Sequence, residues 1–156
     1  MFYKVVWATD GSEPADEALN FARALAAESG GELLAVHCIE LILAPRGPGG
    51  GYPAHGNEGE LEEKIEAQVA DLSRDGVRAS LQSATAAVGG AAHVISDMAR
   101  DAGADVIVVG TRGRTALTGL LLGSVTHRLL HIAHCPVLVV LGPERSGAGS
   151  VPTGTE

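Results

Sequence analysis

The 156-residue sequence predicts an α/β fold, a single domain built on a parallel five-stranded sheet with helices on both faces. Three observations carry that prediction. Short, apolar, β-rich runs alternate with segments whose apolar residues recur every three or four positions. The runs are separated by helix-length stretches, the crossovers that parallel neighbours require. Two strand-to-helix junctions, ATDGS after the first strand and GTRGRTALTGLLLGS after the fourth, are rich in Gly, Ser and Asp at the carboxyl ends, where open α/β sheets bind ligands.

Each element follows in order. Lys4–Thr9, KVVWAT, is the first strand, closed by Asp10-Gly11-Ser12. Pro14 suits a first helical turn, and Ala18, Phe21, Ala22 and Leu25 recur at helical spacing until Gly30-Gly31 stops the helix. Glu32–Ile39, ELLAVHCI, reads as the second strand. Ala44–Asn57, APRGPGGGYPAHGN, has little capacity for regular structure and is expected to be a mobile loop. Glu58–Arg74 is a charged amphipathic helix with Leu61, Ile65, Val69 and Leu72 on one face, and Val77–Ser83 is a third strand of mixed polarity. Gly89–Ala102 forms a helix with Val94, Ile95 and Met98 inward. Asp105–Val109 is the fourth strand, Gly123–Ala133 the last helix, and Pro136–Leu141, PVLVVL, the fifth strand. One domain over 1–142 is expected, followed by a polar, Gly/Pro/Ser-rich tail over 143–156 whose composition predicts disorder.

Composition narrows the function. A net charge of -8, with lysine only at 4 and 64, leaves no basic stripe for DNA or RNA, so no nucleic-acid partner is expected. Nothing reaches the length of a membrane span, and MFYKVVWATDGS lacks the pattern of a cleaved leader, so a cytoplasmic location away from membranes is expected. Cys38 and Cys135 fall at opposite ends of their strands, too far apart to bridge, and are expected to be buried, reduced packing residues.

The glycines after the fourth strand have a chemical use. A loop between a strand's carboxyl end and a helix's amino end exposes unpaired N–H groups at the positive end of the helix dipole, which favours an anion. Glycine lets a phosphate approach the backbone without meeting a Cβ, and Ser124 adds a hydroxyl. The plainer reading is a turn that simply needs glycine. Asp10 has the same two readings: a ligand contact, or an aspartate binding its own loop amides or capping the first helix. Arg112 and Arg114 either reach phosphate oxygens or stay solvated.

Gly110-x-x-Gly113, nine residues, then Gly123-Ser124 resembles the ATP-binding signature of the universal stress protein family. The resemblance continues in TDGS at Thr9–Ser12, AVHC at Ala35–Cys38 and HCPVLVV at His134–Val140, and spans Phe2 to about Leu141. It implies a Rossmann-like sheet of order 3-2-1-4-5, like that of adenine nucleotide alpha hydrolases, binding ATP with Mg across the ends of strands one and four. Ala8, Thr9 and Asp10 would line the first-strand side, with Asp10 beside the ribose and phosphates. The backbone at Cys38 would meet adenine and Gly110 the ribose. Gly113, Gly123, Ser124 and the amide of Val125 would hold the triphosphate, within reach of Arg112. Trp7 stands where the family usually keeps a smaller residue, a bulk expected to narrow the pocket, and Cys38 stands where valine is common.

Other constellations point less far. His127, His131 and His134 share a helix side opposite Val125, Leu129 and Ile132, so they are expected to face solvent or a partner; a metal face with Cys135 is the disfavoured alternative, and no metal ligand is assigned. His37 reads as a core or sheet-face histidine. No Walker A loop, Ser/His/Asp set or paired-carboxylate pattern appears, so no catalytic residue is assigned. The expected function is an ATP-binding, nucleotide-responsive stress protein. The alternatives are a slow ATPase and a dimerisation module that binds no nucleotide. The apolar fifth strand, at a sheet edge in the implied order, predicts a homodimer through 136–141.

Overall fold

The computed structural model describes residues 1–42, 52–53, 57–111 and 122–142. Along the chain run β1 (Lys4–Thr9), α1 (Glu13–Ser29), β2 (Glu32–Ile42), β3 (Tyr52–Pro53), α2 (Glu58–Arg74), β4 (Arg78–Ala87), α3 (Ala91–Asp101), β5 (Val106–Gly110), α4 (Ser124–Ile132) and β6 (Val137–Val140). The expected tail over 143–156 and most of the expected loop over 44–57 lie outside the described residues.

The five strands anticipated from the sequence pair in parallel in the order β4-β2-β1-β5-β6, the expected 3-2-1-4-5. The short β3 adds a sixth, antiparallel strand on β2, pairing Leu41 with Pro53 and Ile42 with Tyr52. Leu41 also pairs with Ala87 of β4, so β3 must occupy the opposite edge of β2, the edge β1 vacates beyond Thr9. Both β2 and β4 run further than their sequence patterns indicate, to Ile42 and Ala87, because ladder pairing from Glu32–Arg78 to Leu41–Ala87 carries them past the point where burial stops. β4 pairs on one side only among the described residues. Its ten residues are exposed or half-buried throughout, with Ser80, Gln82, Ser83 and Thr85 outermost.

Strand alternation divides the core in two. Val5, Trp7, Leu33, Ala35, Val106 and Val108 face α1 and α2; Val6, Ala8, Leu34, Val36, Ile107 and Val109 face α3 and α4. α1 lies on the sheet through Ala15, Ala18, Ala22 and Ala26, whereas Phe21, expected on the inner stripe, is 53% exposed. The reason is Trp7. Its fully buried indole fills the space beneath the start of α1 and donates to the Ala15 carbonyl at 2.9 Å, so the fully buried stripe of the helix is alanine, with Leu19 and Leu25 packed at its margin. The expectation that Trp7 narrows a ligand pocket is therefore corrected: its bulk lies in the core. In α3 the buried face is Ala91, Ala92, Ile95, Ser96 and Ala99, and Val94 and Met98 are half-buried at its margin. No helix among the described residues is long and apolar enough to cross a membrane.

Replacing Trp7 with phenylalanine removes the indole donor and leaves a void under an alanine-lined helix. A loss of about 1–3 kcal/mol is expected, read as a lower urea midpoint by circular dichroism. An unchanged midpoint would show that α1 does not depend on Trp7.

Candidate functional site

The carboxyl ends of β1, β2 and β5 lie side by side, since Thr9 is level with His37 and Ala8 with both Val36 and Val109. Asp10, Cys38 and Gly110 thus share one end of the sheet. Between β1 and β5 the chain departs to opposite faces, into α1 on one and α4 on the other. This divergence is the switch point at which open α/β sheets form a crevice.

The β1–α1 loop is held by its own side chains. Thr9 Oγ1 accepts from the Gly11 amide at 3.1 Å, and Asp10 Oδ1 accepts from the Ser12 amide at 3.0 Å, an Asx turn. Gly11 has φ +77°, a conformation that suits glycine. Ser12, not Asp10, caps α1, its Oγ accepting from the Ala15 amide at 3.4 Å. Glu13 and Asp16 then place two acids in the first turn of α1. That helix end is already satisfied and repels a further anion.

The amino end of α4 is the reverse. Gly123 occupies the cap position at φ -66° and ψ 158°, a backbone open to any residue; among the described residues no side chain caps the helix, and no acid lies in its first turn. The Gly123 amide donates to the Thr111 carbonyl at 2.6 Å, and Thr126 Oγ1, buried, donates to the Gly110 carbonyl at 2.8 Å. Gly123, exposed Ser124 and half-buried Val125 are thereby fixed beside the end of β5. Of the two helix amino ends at this crevice, electrostatics selects that of α4 for an anion.

Gly110 has a packing reason of its own. A Cβ there would stand 2.6 Å from the Pro14 carbonyl oxygen and 3.0 Å from the Ala15 nitrogen, so the first turn of α1 requires glycine at the end of β5. Ala8 and Thr9 are buried, Asp10 is half-buried, and Cys38 is half-buried against the α3–α4 side of the core. Arg112 and Gly113, with Arg114, lie outside the described residues.

The cysteines are free, at opposite ends of the sheet, and half-buried where full burial was expected. Burial, and secondarily Glu40, pushes the Cys38 thiol up to about 11; burial and Asp105 also raise Cys135 against an opposing hydrogen bond from the Ile107 backbone. Both thiols stay protonated at neutral pH.

His37 is fully buried, as a core histidine should be, with Nε2 3.2 Å from Oε2 of Glu58, the buried first residue of α2. His127 and His131 are exposed on α4, rings edge-to-face with centroids 4.8 Å apart, and His134 is exposed beyond the helix. Among the described residues no group of three or more His, Cys, Asp or Glu is placed to hold a metal ion. Thr126 and Glu58 escaped the sequence reading. A threonine two places beyond Ser124 and a glutamate opening a charged helix carry no signal that marks them as buried partners of Gly110 and His37.

Comparison with known proteins matches residues 1–140 to the model of the universal stress protein family. A universal stress protein of Methanocaldococcus jannaschii, MJ0531, is 35% identical over 153 residues, covering 93% of this chain and 85% of that protein. Among solved structures, a universal stress protein from Archaeoglobus fulgidus superposes with TM-score 0.69 at 26% identity, over 90% of this chain and 99% of that one. Two more share the fold: a universal stress protein in complex with cAMP (TM-score 0.63, 22% identity, 91% and 98% covered) and one from Archaeoglobus fulgidus in complex with dAMP (TM-score 0.61, 23%, 90% and 98%).

The raised Cys38 value sets a pH profile. Alkylation of Cys38, followed by mass spectrometry of its peptide, should accelerate about tenfold per pH unit from 8 to 10 without levelling. A plateau near the ordinary thiol value of about 8.5 would contradict its burial.

Proposed function

This chain belongs to the universal stress protein family, and we propose that it is an adenine-nucleotide-binding member, a nucleotide-responsive module and not a dedicated enzyme. The observation that carries the reading is the contrast between the two helix ends at the switch point. α1 is capped and acidic, whereas α4 is uncapped and free of acid, beside the end of β5. Such a crevice receives a nucleoside phosphate in one orientation: anionic groups at α4, sugar and base toward β1 and β2. Relatives of the same fold that carry cAMP and dAMP support the choice of adenine.

In this assignment the backbone at Cys38 faces adenine, and Ala8, Thr9, Asp10 and Gly110 line the ribose side. Gly113, Gly123, Ser124 and the Val125 amide hold the phosphates, with Arg112 alongside. ATP is the proposed ligand. The Asp10 carboxylate and Ser124 hydroxyl are hard oxygen donors of the kind Mg²⁺ prefers, and the ion would offset triphosphate charge beside Asp10. Hydrolysis, where it occurs, is slow, because the sequence offers no Walker A lysine, no Ser/His/Asp set and no paired-carboxylate pattern.

A homodimer through β6 belongs to the same proposal. Pro136 and Val140 carbonyls accept from the Ile107 and Thr111 amides of the β5 side. Main-chain groups alternate along a strand, so those of Val137, Val139 and Leu141 point to the open edge. Leu138 and Leu141 are exposed there, with Leu130 of α4 also exposed. A second copy paired antiparallel about a two-fold axis would satisfy both edges.

Protein purified without added nucleotide, then denatured and chromatographed, should release an adenine nucleotide. Gly123→Val should abolish that retention while remaining folded, since valine tolerates the extended backbone at this position. A folded Gly123→Val variant with wild-type ATP affinity would remove α4 from the site. For the interface, Val139→Pro deletes an outward donor without touching the β5–β6 ladder and should convert a dimer in light scattering to a monomer. A wild-type monomer at micromolar concentration, or a dimer unaffected by Val139→Pro, would refute pairing through β6.

A further inference from the structure

The chain's two lysines are both engaged with carboxylates, Lys4 with Glu32 and Lys64 with Asp16. Lys64 makes a second contact of a different kind. From the middle of α2 its Nζ donates to the main-chain carbonyl of Gly11 at 2.8 Å, while the same ammonium lies 2.6 Å from Asp16 Oδ2. Gln68, one turn further along α2, donates from Nε2 to Asp16 Oδ1 at 2.9 Å, and Leu61, one turn earlier, sets Cδ2 2.5 Å from where a Gly11 Cβ would stand. Leu61 and Lys64 thus meet the β1–α1 loop at Gly11, its left-handed residue, while Lys64 and Gln68 together hold Asp16 in the first turn of α1.

A lysine–aspartate pair with side chains 41% and 35% exposed contributes little to stability, because water and salt screen it. The bond to Gly11 differs, since a charged donor on a backbone carbonyl fixes the orientation of a peptide unit. Gly11 N–H is already held by Thr9 Oγ1 and Ser12 N–H by Asp10 Oδ1. With the Gly11 carbonyl tied to Lys64, the peptide between Gly11 and Ser12 is restrained from both ends, and with it the direction of the Asp10 carboxylate in its Asx turn.

We propose that Lys64 is a positioning residue for the nucleotide site: through the Gly11 carbonyl it holds the Asp10–Ser12 loop in the geometry that receives the ligand, and so links α2 to occupancy of the crevice. This rests on the nucleotide-binding reading above. Lys64 itself need not touch the ligand, and its effect passes through Gly11. Nucleotide binding and release should accordingly be felt in α2, which joins the loop through this charged contact.

The test compares wild type, Lys64→Met and Lys64→Arg in the full chain, by amide hydrogen exchange at Gly11 and Ser12 without ligand and by calorimetric titration with Mg-ATP. Lys64→Met should raise exchange at both amides and weaken ATP about tenfold, with a melting temperature close to wild type; Lys64→Arg, which keeps a donor of the same charge, should restore part of both. Asp16→Asn leaves the Lys64–Gly11 bond available and should change ATP affinity less than Lys64→Met does. Exchange and affinity unaltered in Lys64→Met would overturn the proposal while leaving nucleotide binding intact. Faster exchange in Lys64→Met, in a wild type that binds no adenine nucleotide, would uphold the restraint on the loop and overturn its link to a nucleotide.

Discussion

The first turn of α1 rests directly on the last residue of β5, and the candidate site depends on that contact. Gly110 leaves room for the Pro14 carbonyl on one side, accepts a hydrogen bond from Thr126 of α4 through its own carbonyl, and is level with Val140 of β6. One residue without a side chain therefore joins two helices on opposite faces and the edge strand. Trp7 supports the same junction from beneath by binding the Ala15 carbonyl. The crevice is narrow at its floor because β1 and β5 are hydrogen-bonded neighbours, and its walls cannot drift apart without breaking one of these contacts.

The walls differ in chemistry. Both are helix amino ends, and both would attract an anion if bare. Ser12, Glu13 and Asp16 neutralise one; among the described residues no side-chain cap and no acid stands at the other. An asymmetric crevice of this kind orients a ligand that is itself asymmetric, anionic at one end and aromatic at the other. Backbone N–H groups at an uncompensated helix amino end favour an anion.

The alternation of strand and helix was legible because parallel sheets need uniformly apolar strands, and VVWAT, LLAV, VIVV and VLVV are unmistakable. The ends of β2 and β4 were not, since beyond Ile39 and Ser83 they are held by mutual pairing and not by burial. The inner face of α1 is not legible at Phe21: helical spacing fits both the alanine stripe and its neighbour, and the bulk of Trp7 beneath the helix favours the alanines. At the site, TDGS and Gly123-Ser124 announced themselves through turn chemistry. Their partners did not, because Thr126, Glu58 and Lys64 reach the carboxyl end from helices whose docking no local pattern specifies. Gly110 was noticed as a glycine a ligand might need, and the structure adds the helix that needs it.

The two edges of the sheet are unequal. β6 is apolar over Val137–Val140, whereas the ten-residue β4 exposes Arg78, Ser80, Gln82, Ser83 and Thr85 to water. Polar, solvated edges resist pairing, and apolar ones seek it. In the pairing proposed above, a copy joined through β6 covers the apolar edge of each partner. The polar β4 edges would then stand outermost, which disfavours growth along the sheet beyond two chains into a continuous β-ribbon.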